Sequence, residues 1–313
     1  MEDKHLVFKI EQYSPFIFIA GLLIVLFIGN AALSVFLGIL FALVLKPKKT
    51  FFSIRAGTLP LQIGIVFLGT TINLSFAWSI GSDYFLWISI FVVFIFFLGL
   101  FLGKILGVQH RVAFLLSAGS AICGGTAIVA LAPVIKAKPQ EVLISITIIF
   151  LLNAVAIIIF PIAGNFFDMS NYQFGAWSAL AIHDTSSVIG AALSYSDESA
   201  QVAATLKLGR TIWIIPLLLI SSWFFKSKTK KINFPKFIVF FLIAILLNTV
   251  FDFSDNLVLI LKTISQYLLL LGLFCIGTQS NITDLKAVNG KPLWLALALW
   301  LVVVPLSYII ILL

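Results

Sequence analysis

Residues 120–133 read SAICGGTAIVALAP: two adjacent glycines and a threonine interrupt an apolar segment where a plain membrane helix carries leucine. Glycine frees the backbone and supplies no side-chain cover, so Gly124 and Gly125 predict a break in the helix. Thr126 is then placed to cap the second half by accepting a backbone N–H. Unsatisfied backbone groups are costly in lipid, so such a break survives only where it is buried in protein or faces a wet cavity. The exposed N–H groups after Thr126, together with the positive end of the half-helix dipole, favour an anion. The plainer alternative is close packing of two helices at small residues.

The rest of the chain sets the medium. Of 313 residues, 61% are hydrophobic and only 10% charged, which excludes a water-soluble domain of ordinary surface chemistry. About eleven apolar runs near the roughly 20 residues that a hydrocarbon core requires predict one polytopic all-α membrane domain over residues 1–313, with about 10 to 11 transmembrane helices. These runs fall at about 15–29, 31–45, 57–75, 84–103, 111–136, 139–162, 172–194, 200–223, 235–251, 256–288 and 292–312. No cleavage site of small residues precedes the first run, which is expected to stay.

The net charge of +8 does not point to nucleic acid. The basic residues cluster in short loops, at Lys46, Lys48, Lys49 and Arg55 and again from Lys226 to Lys236. That is a topology signal: these loops belong on the cytoplasmic side, with the amino terminus, and the acidic loops at Asp83, Asp197 and Asp252 outside. Lys136 and Lys138 run against it. An odd number of spans puts the carboxyl terminus outside. Two cysteines and three histidines without metal-ligand spacing predict neither a disulfide nor a metal, and no cofactor is expected.

Cys123-Gly124-Gly125-Thr126 has a partner in Cys275-Ile276-Gly277-Thr278, about 150 residues on. A similar offset brings Pro139 near Pro292 and Ser34-Val35 near Ser187-Val188. The cysteine motifs lie in the fifth and tenth spans, so the copies cross in opposite directions. This predicts an inverted repeat of five helices, about 31–162 and 172–312, with the helix at 15–29 extra and broken helices at the midplane. The second break would present Gly277, Thr278, Gln279 and Ser280.

A separate constellation lies in LAIHDTSSVIGAA, where His183, Asp184, Thr185, Ser186 and Ser187 fall near the middle of the seventh span. Ionisable groups at that depth normally face a cavity or a partner. Lys207 and Arg210 lie in the next span, and Asp184 and Arg210 are equally far from the turn near residue 197. The expectation is an Asp184–Arg210 pair near the midplane, either an anion-binding element or a structural brace. A hydrolytic triad of His183, Asp184 and Ser187 is disfavoured, because Asp184 points about 100° away from His183 on a continuous helix.

Ser120-Ala121-Ile122-Cys123-Gly124, the run from His183 to Ala192, and Lys207-Leu208-Gly209-Arg210 followed by Pro216 resemble the signatures of the YeiH family of bacterial inner-membrane proteins. The resemblance covers nearly the whole chain. It implies a multi-pass transporter of the bacterial plasma membrane, distantly similar in layout to the bile-acid and sodium symporters, with sulfate export as the family's customary label.

The expected function is secondary active transport of a small anion, sulfate or a related sulfur oxyanion. Arg210 and Lys207 would supply charge. Cys123, Gly124, Gly125, Thr126, Gly277, Thr278, Gln279, Ser280, Thr185, Ser186 and Ser187 would supply hydrogen bonds, with His183 and Asp184 coupling or gating through H+ or Na+. The alternative is a sodium/proton-type cation exchanger using Asp184. An enzyme is not expected, since neither a nucleophile arrangement nor a nucleotide loop is present. The expected partners are the substrate and the bilayer, and a homodimer is compatible with the pattern.

Overall fold

The structure is a computed structural model that describes residues 2–45, 59–225, 236–278 and 290–312. All regular secondary structure among the described residues is α-helical. Among the described residues, five helical runs are long and apolar enough to cross a membrane: Leu74–Ile105, Pro139–Phe166, Asp197–Phe224, Asp255–Gly277 and Gly290–Leu312. Bulky apolar side chains such as Phe27, Phe101 and Leu301 stand exposed on the helices, as lipid-facing surface requires and water-facing surface would not tolerate. The chain is a helical membrane protein.

The described residues pack as two units, one within Met1–Asn73 and Val239–Ile282 and the other within Leu74–Ile238 and Thr283–Leu313. Each takes helices from both proposed sequence halves, 31–162 and 172–312.

The first unit holds α1 (Glu2–Ile28), α2 (Ala31–Leu45), α3 (Leu59–Gly69), most of α12 (Lys236–Phe251) and α13 (Asp255–Gly277). Helix α13 packs against α2 and α3. Its approach to α2 is backbone to backbone: a Cβ on Gly277 would sit 2.5 Å from the Val35 carbonyl oxygen and 2.8 Å from the Gly38 Cα. Only glycine fits at both positions, which is how helices associate in lipid without a hydrophobic driving force. Phe18, Phe41 and Phe274 close the contact, with ring centroids 5.2–6.5 Å apart. The Ser265 hydroxyl adds a hydrogen bond to the Gly64 carbonyl at 2.8 Å.

The second unit contains α4 (Leu74–Ile105), α5 (His110–Ala121), α6 (Gly125–Leu131), α7 (Pro139–Phe166), α8 (Asn171–Ala181), α9 (Thr185–Tyr195), α10 (Asp197–Thr211), α11 (Ile214–Phe224) and α14 (Gly290–Leu312). Helix α7 begins at Pro139, whose missing N–H costs nothing in a first turn, and the Glu141 carboxylate accepts from the Lys138 amide at 2.6 Å. Helix α4 starts at Leu74, well ahead of the expected 84. The apolar run at 111–136 is interrupted where Gly124 predicts it. The run at 172–194, read as one helix, is also interrupted: α8 stops at Ala181 and α9 starts at Thr185. Helix α13 ends at Gly277, and residues 279–288 of the expected run lie outside the described residues.

Candidate functional site

The two interruptions have the same layout. One helix ends at Ala121 and the next starts after Gly124; another ends at Ala181 and the next starts after Asp184. Ala-Ile stands at the head of both gaps, an offset of about 60 residues apart. The gaps touch. A Cβ on Gly124 would lie 3.2 Å from both Cα and Cβ of Asp184, and Gly124 has φ +62°, a conformation that side chains resist.

A helix that stops inside a buried unit leaves its last carbonyls without partners. For α5 they can be traced one by one. Ala118 O accepts from the Ile122 amide at 3.0 Å and Gly119 O from the Gly124 amide at 2.8 Å. Ser120 O and Ala121 O accept from Arg210, from Nη2 at 2.5 Å and from Nε at 2.7 Å. Nη1 of the same guanidinium reaches α8, donating to Ala179 O at 3.1 Å and Leu180 O at 2.7 Å. Lys207 Nζ completes the second end, donating to Ile182 O at 2.7 Å and Ala179 O at 3.3 Å.

Both cations are 0% exposed. They stand one turn apart on α10, so they share a face. The negative ends of two helix dipoles offset their mutual repulsion, and each donor nitrogen meets a carbonyl. The buried Phe91 ring covers the guanidinium, 5.1 Å from Cζ to centroid.

At the start of α9, the Asp184 carboxylate accepts from the Ser187 amide at 3.2 Å and the Ser187 hydroxyl at 3.4 Å. It is a helix cap. The expected Asp184–Arg210 pair is not formed, because the guanidinium is spent on four carbonyls and the carboxylate on its own helix. Helix α6 has no such cap. Gly124 brings no side chain, and Thr126, expected to cap, is instead the second residue of the helix. The Cys123 thiol lies against the Ala127 amide.

His183 is 1% exposed, and neither ring nitrogen has a hydrogen-bond partner. Its backbone amide donates to Asn153 Oδ1 of α7 at 3.3 Å, and its ring lies within electrostatic reach of Lys207 and Arg210. The Ser120 and Ser178 hydroxyls and the Asn153 amide nitrogen are also buried without a partner. Buried polar groups are nearly always satisfied, so a set like this beside the helix breaks marks a place for a polar ligand or water. The segment is unwound as a triad would need, yet His183 bonds to neither Asp184 nor Ser187.

Of the sequence-derived candidates, Cys123, Gly124, Gly125, Thr126, His183, Asp184, Thr185, Ser186, Ser187, Lys207 and Arg210 share these two breaks and the helix that clamps them. Gly277 and Thr278 belong to the other unit, where Gly277 makes the contact with α2 and the Thr278 hydroxyl donates to Cys275 O at 2.7 Å. Gln279 and Ser280 lie outside the described residues. Sequence reading does not single out Ser178, Asn153 or Phe91, and takes Ser120 only as part of a family signature. The serines had a faint signal, each lying a few residues before a break. Among the described residues, no group of three or more His, Cys, Asp or Glu side chains is placed to hold a metal ion.

The family described as conserved hypothetical protein 698 matches residues 15–296. A UPF0324 membrane protein of Bacteroides thetaiotaomicron is 40% identical over 272 residues, covering 86% of this chain and 82% of the relative. One from Photobacterium profundum is 42% identical over 224 residues, covering 71% and 68%. One from Shewanella oneidensis is 39% identical over 252 residues, covering 80% of each. No solved structure matches the chain. Matched over most of its length to these proteins, the chain belongs to the UPF0324 family of membrane proteins, which is the YeiH family that its motifs resemble.

Proposed function

We propose that the chain is a secondary active transporter of a small anion, sulfate or a related sulfur oxyanion, across the bacterial plasma membrane, with its binding site at the meeting of the two helix breaks. The observation that carries this reading is the buried His183 ring, with two unpartnered nitrogens beside two fully buried cations. An inverted repeat and a cytoplasmic amino terminus belong to the same reading.

The charges suggest how coupling works. Lys207 and Arg210 contribute two positive charges and ionised Asp184 one negative charge. Protonating Asp184 leaves two positive charges facing a doubly charged sulfate. A dianion can leave water only where its charge is so compensated. Proton and sulfate would therefore enter together. Most donors of Arg210 are already spent, so the ligand's hydrogen bonds would come from His183 and the nearby hydroxyls.

A cation exchanger built on Asp184 is the second reading, favoured by the carboxylate's place on a break. Radiolabelled sulfate flux in proteoliposomes, under imposed proton and sodium gradients, separates the two. The first reading expects gradient-driven sulfate flux that His183→Phe abolishes. The second expects no sulfate flux, and cation exchange lost in Asp184→Asn. Sulfate flux unchanged in H183F would sink the site assignment.

A further inference from the structure

Where α8 unwinds, two backbone carbonyls, those of Ala179 and Ile182, turn toward one point. Ala179 O and Ile182 O lie at the end of α8, and Asp184, Thr185 and Ser186 follow within the next few residues. Oxygen groups gathered at an unwound helix are the ligand set that alkali cations take in membrane carriers. Here the place is filled from within. Lys207 Nζ, 0% exposed, stands 2.7 Å from Ile182 O and 3.3 Å from Ala179 O.

We propose that the Lys207 ammonium is a tethered monovalent cation occupying the cation position of the α8 break, so that the protein binds no free sodium there. The inference rests on the transport reading only for its consequence, that coupling falls to the proton. Three observations carry it. Lysine is a compact point charge on a flexible stem, able to sit where a small ion would. Its donors go to main-chain oxygens at a break rather than to a carboxylate partner. Arg210, one turn along the same face of α10, would repel a second, untethered cation. An ammonium held by a covalent stem also cannot leave, so it can fix the break but cannot be carried across.

The test uses the purified full-length protein in detergent at constant ionic strength, with the thermal midpoint as readout. For wild type, replacing choline chloride with sodium chloride is expected to leave the midpoint unchanged. Lys207→Ala deletes the atoms of a propylammonium ion. Its midpoint is expected to fall, and to recover saturably by several degrees with propylammonium, less with ammonium and not with choline. Lys207→Met keeps the stem and leaves no hole, and propylammonium is expected not to move it. A saturable rise of the wild-type midpoint with sodium overturns the proposal, as does folded K207A indifferent to propylammonium. If K207A does not accumulate, the wild-type sodium titration decides alone. Absence of sulfate flux would remove the transport reading and leave these midpoints to be read as they stand.

Discussion

The guanidinium of Arg210 donates from Nε to the carbonyl of Ala121, 2.7 Å away and 89 positions earlier in the chain. This bond, with its neighbours on Ser120, Ala179 and Leu180, makes one side chain the common terminus of two helices. Arginine suits the task because its planar fork carries five donors in fixed directions.

Arg210→Gln is therefore expected to destabilise the fold as well as alter the site. Each buried carbonyl left without a donor costs about 1–3 kcal/mol. Arg210→Lys keeps the charge and loses the fork, so its thermal midpoint should fall between those of wild type and R210Q. A midpoint for R210Q equal to that of wild type would show that the clamp contributes nothing.

Gly124→Ala should be costly for two reasons. The residue has φ +62°, and the added Cβ would stand 3.2 Å from Asp184 and from Ile149. Holding a non-glycine residue in such a conformation costs about 1–3 kcal/mol. Gly209→Ala is the control: it lies inside α10 with no atom within 4 Å of the added Cβ, and should gain about 0.5–1 kcal/mol from helix propensity. Opposite shifts of the thermal midpoint are the expected result; matching shifts would refute the glycine argument.

In the first unit, Gly38→Ala and Gly277→Ala push apart the same two backbones. Each is expected to cost about 1–3 kcal/mol through overpacking. Once α2 and α13 have separated for one methyl group, the second finds room, so the double variant should cost less than the sum of the singles. Strict additivity in a double-mutant cycle would argue that the two glycines do not share one contact.

Much of this fold is legible in the order of residues. Helix α2 runs over 31–45 and α7 starts at Pro139, as the apolar runs and their boundaries indicate. The break at Gly124 is legible because it needs a positive φ, and glycine advertises that. The break after Ala181 is not, because Ile182-His183-Asp184 contains neither glycine nor proline. The polar residues mark the depth of the site, but the break itself is made by backbone conformation and by the Asp184 cap. The depth of Arg210 in its span could be foreseen; the full burial of Lys207 and the partners of both could not, since every residue has a carbonyl. The cysteine motif paired residue 123 with 275, whereas the geometry around Gly124 recurs at Asp184, where the residues themselves differ.

His183 separates a binding site from a structural core. A side chain kept for stability makes the bonds that hold the fold, and its loss destabilises. Neither ring nitrogen of His183 makes such a bond, although the residue is 1% exposed. Burying a polar group without a partner costs about 1–3 kcal/mol, so His183→Phe removes a penalty and keeps an aromatic ring of similar shape. The thermal midpoint of H183F should equal or exceed that of wild type, while sulfate flux is lost. Such a trade is expected where stability is given up for function. If the midpoint instead fell as far as that of R210Q, the ring would be holding the break together, and the ligand would have to be sought elsewhere in the unit.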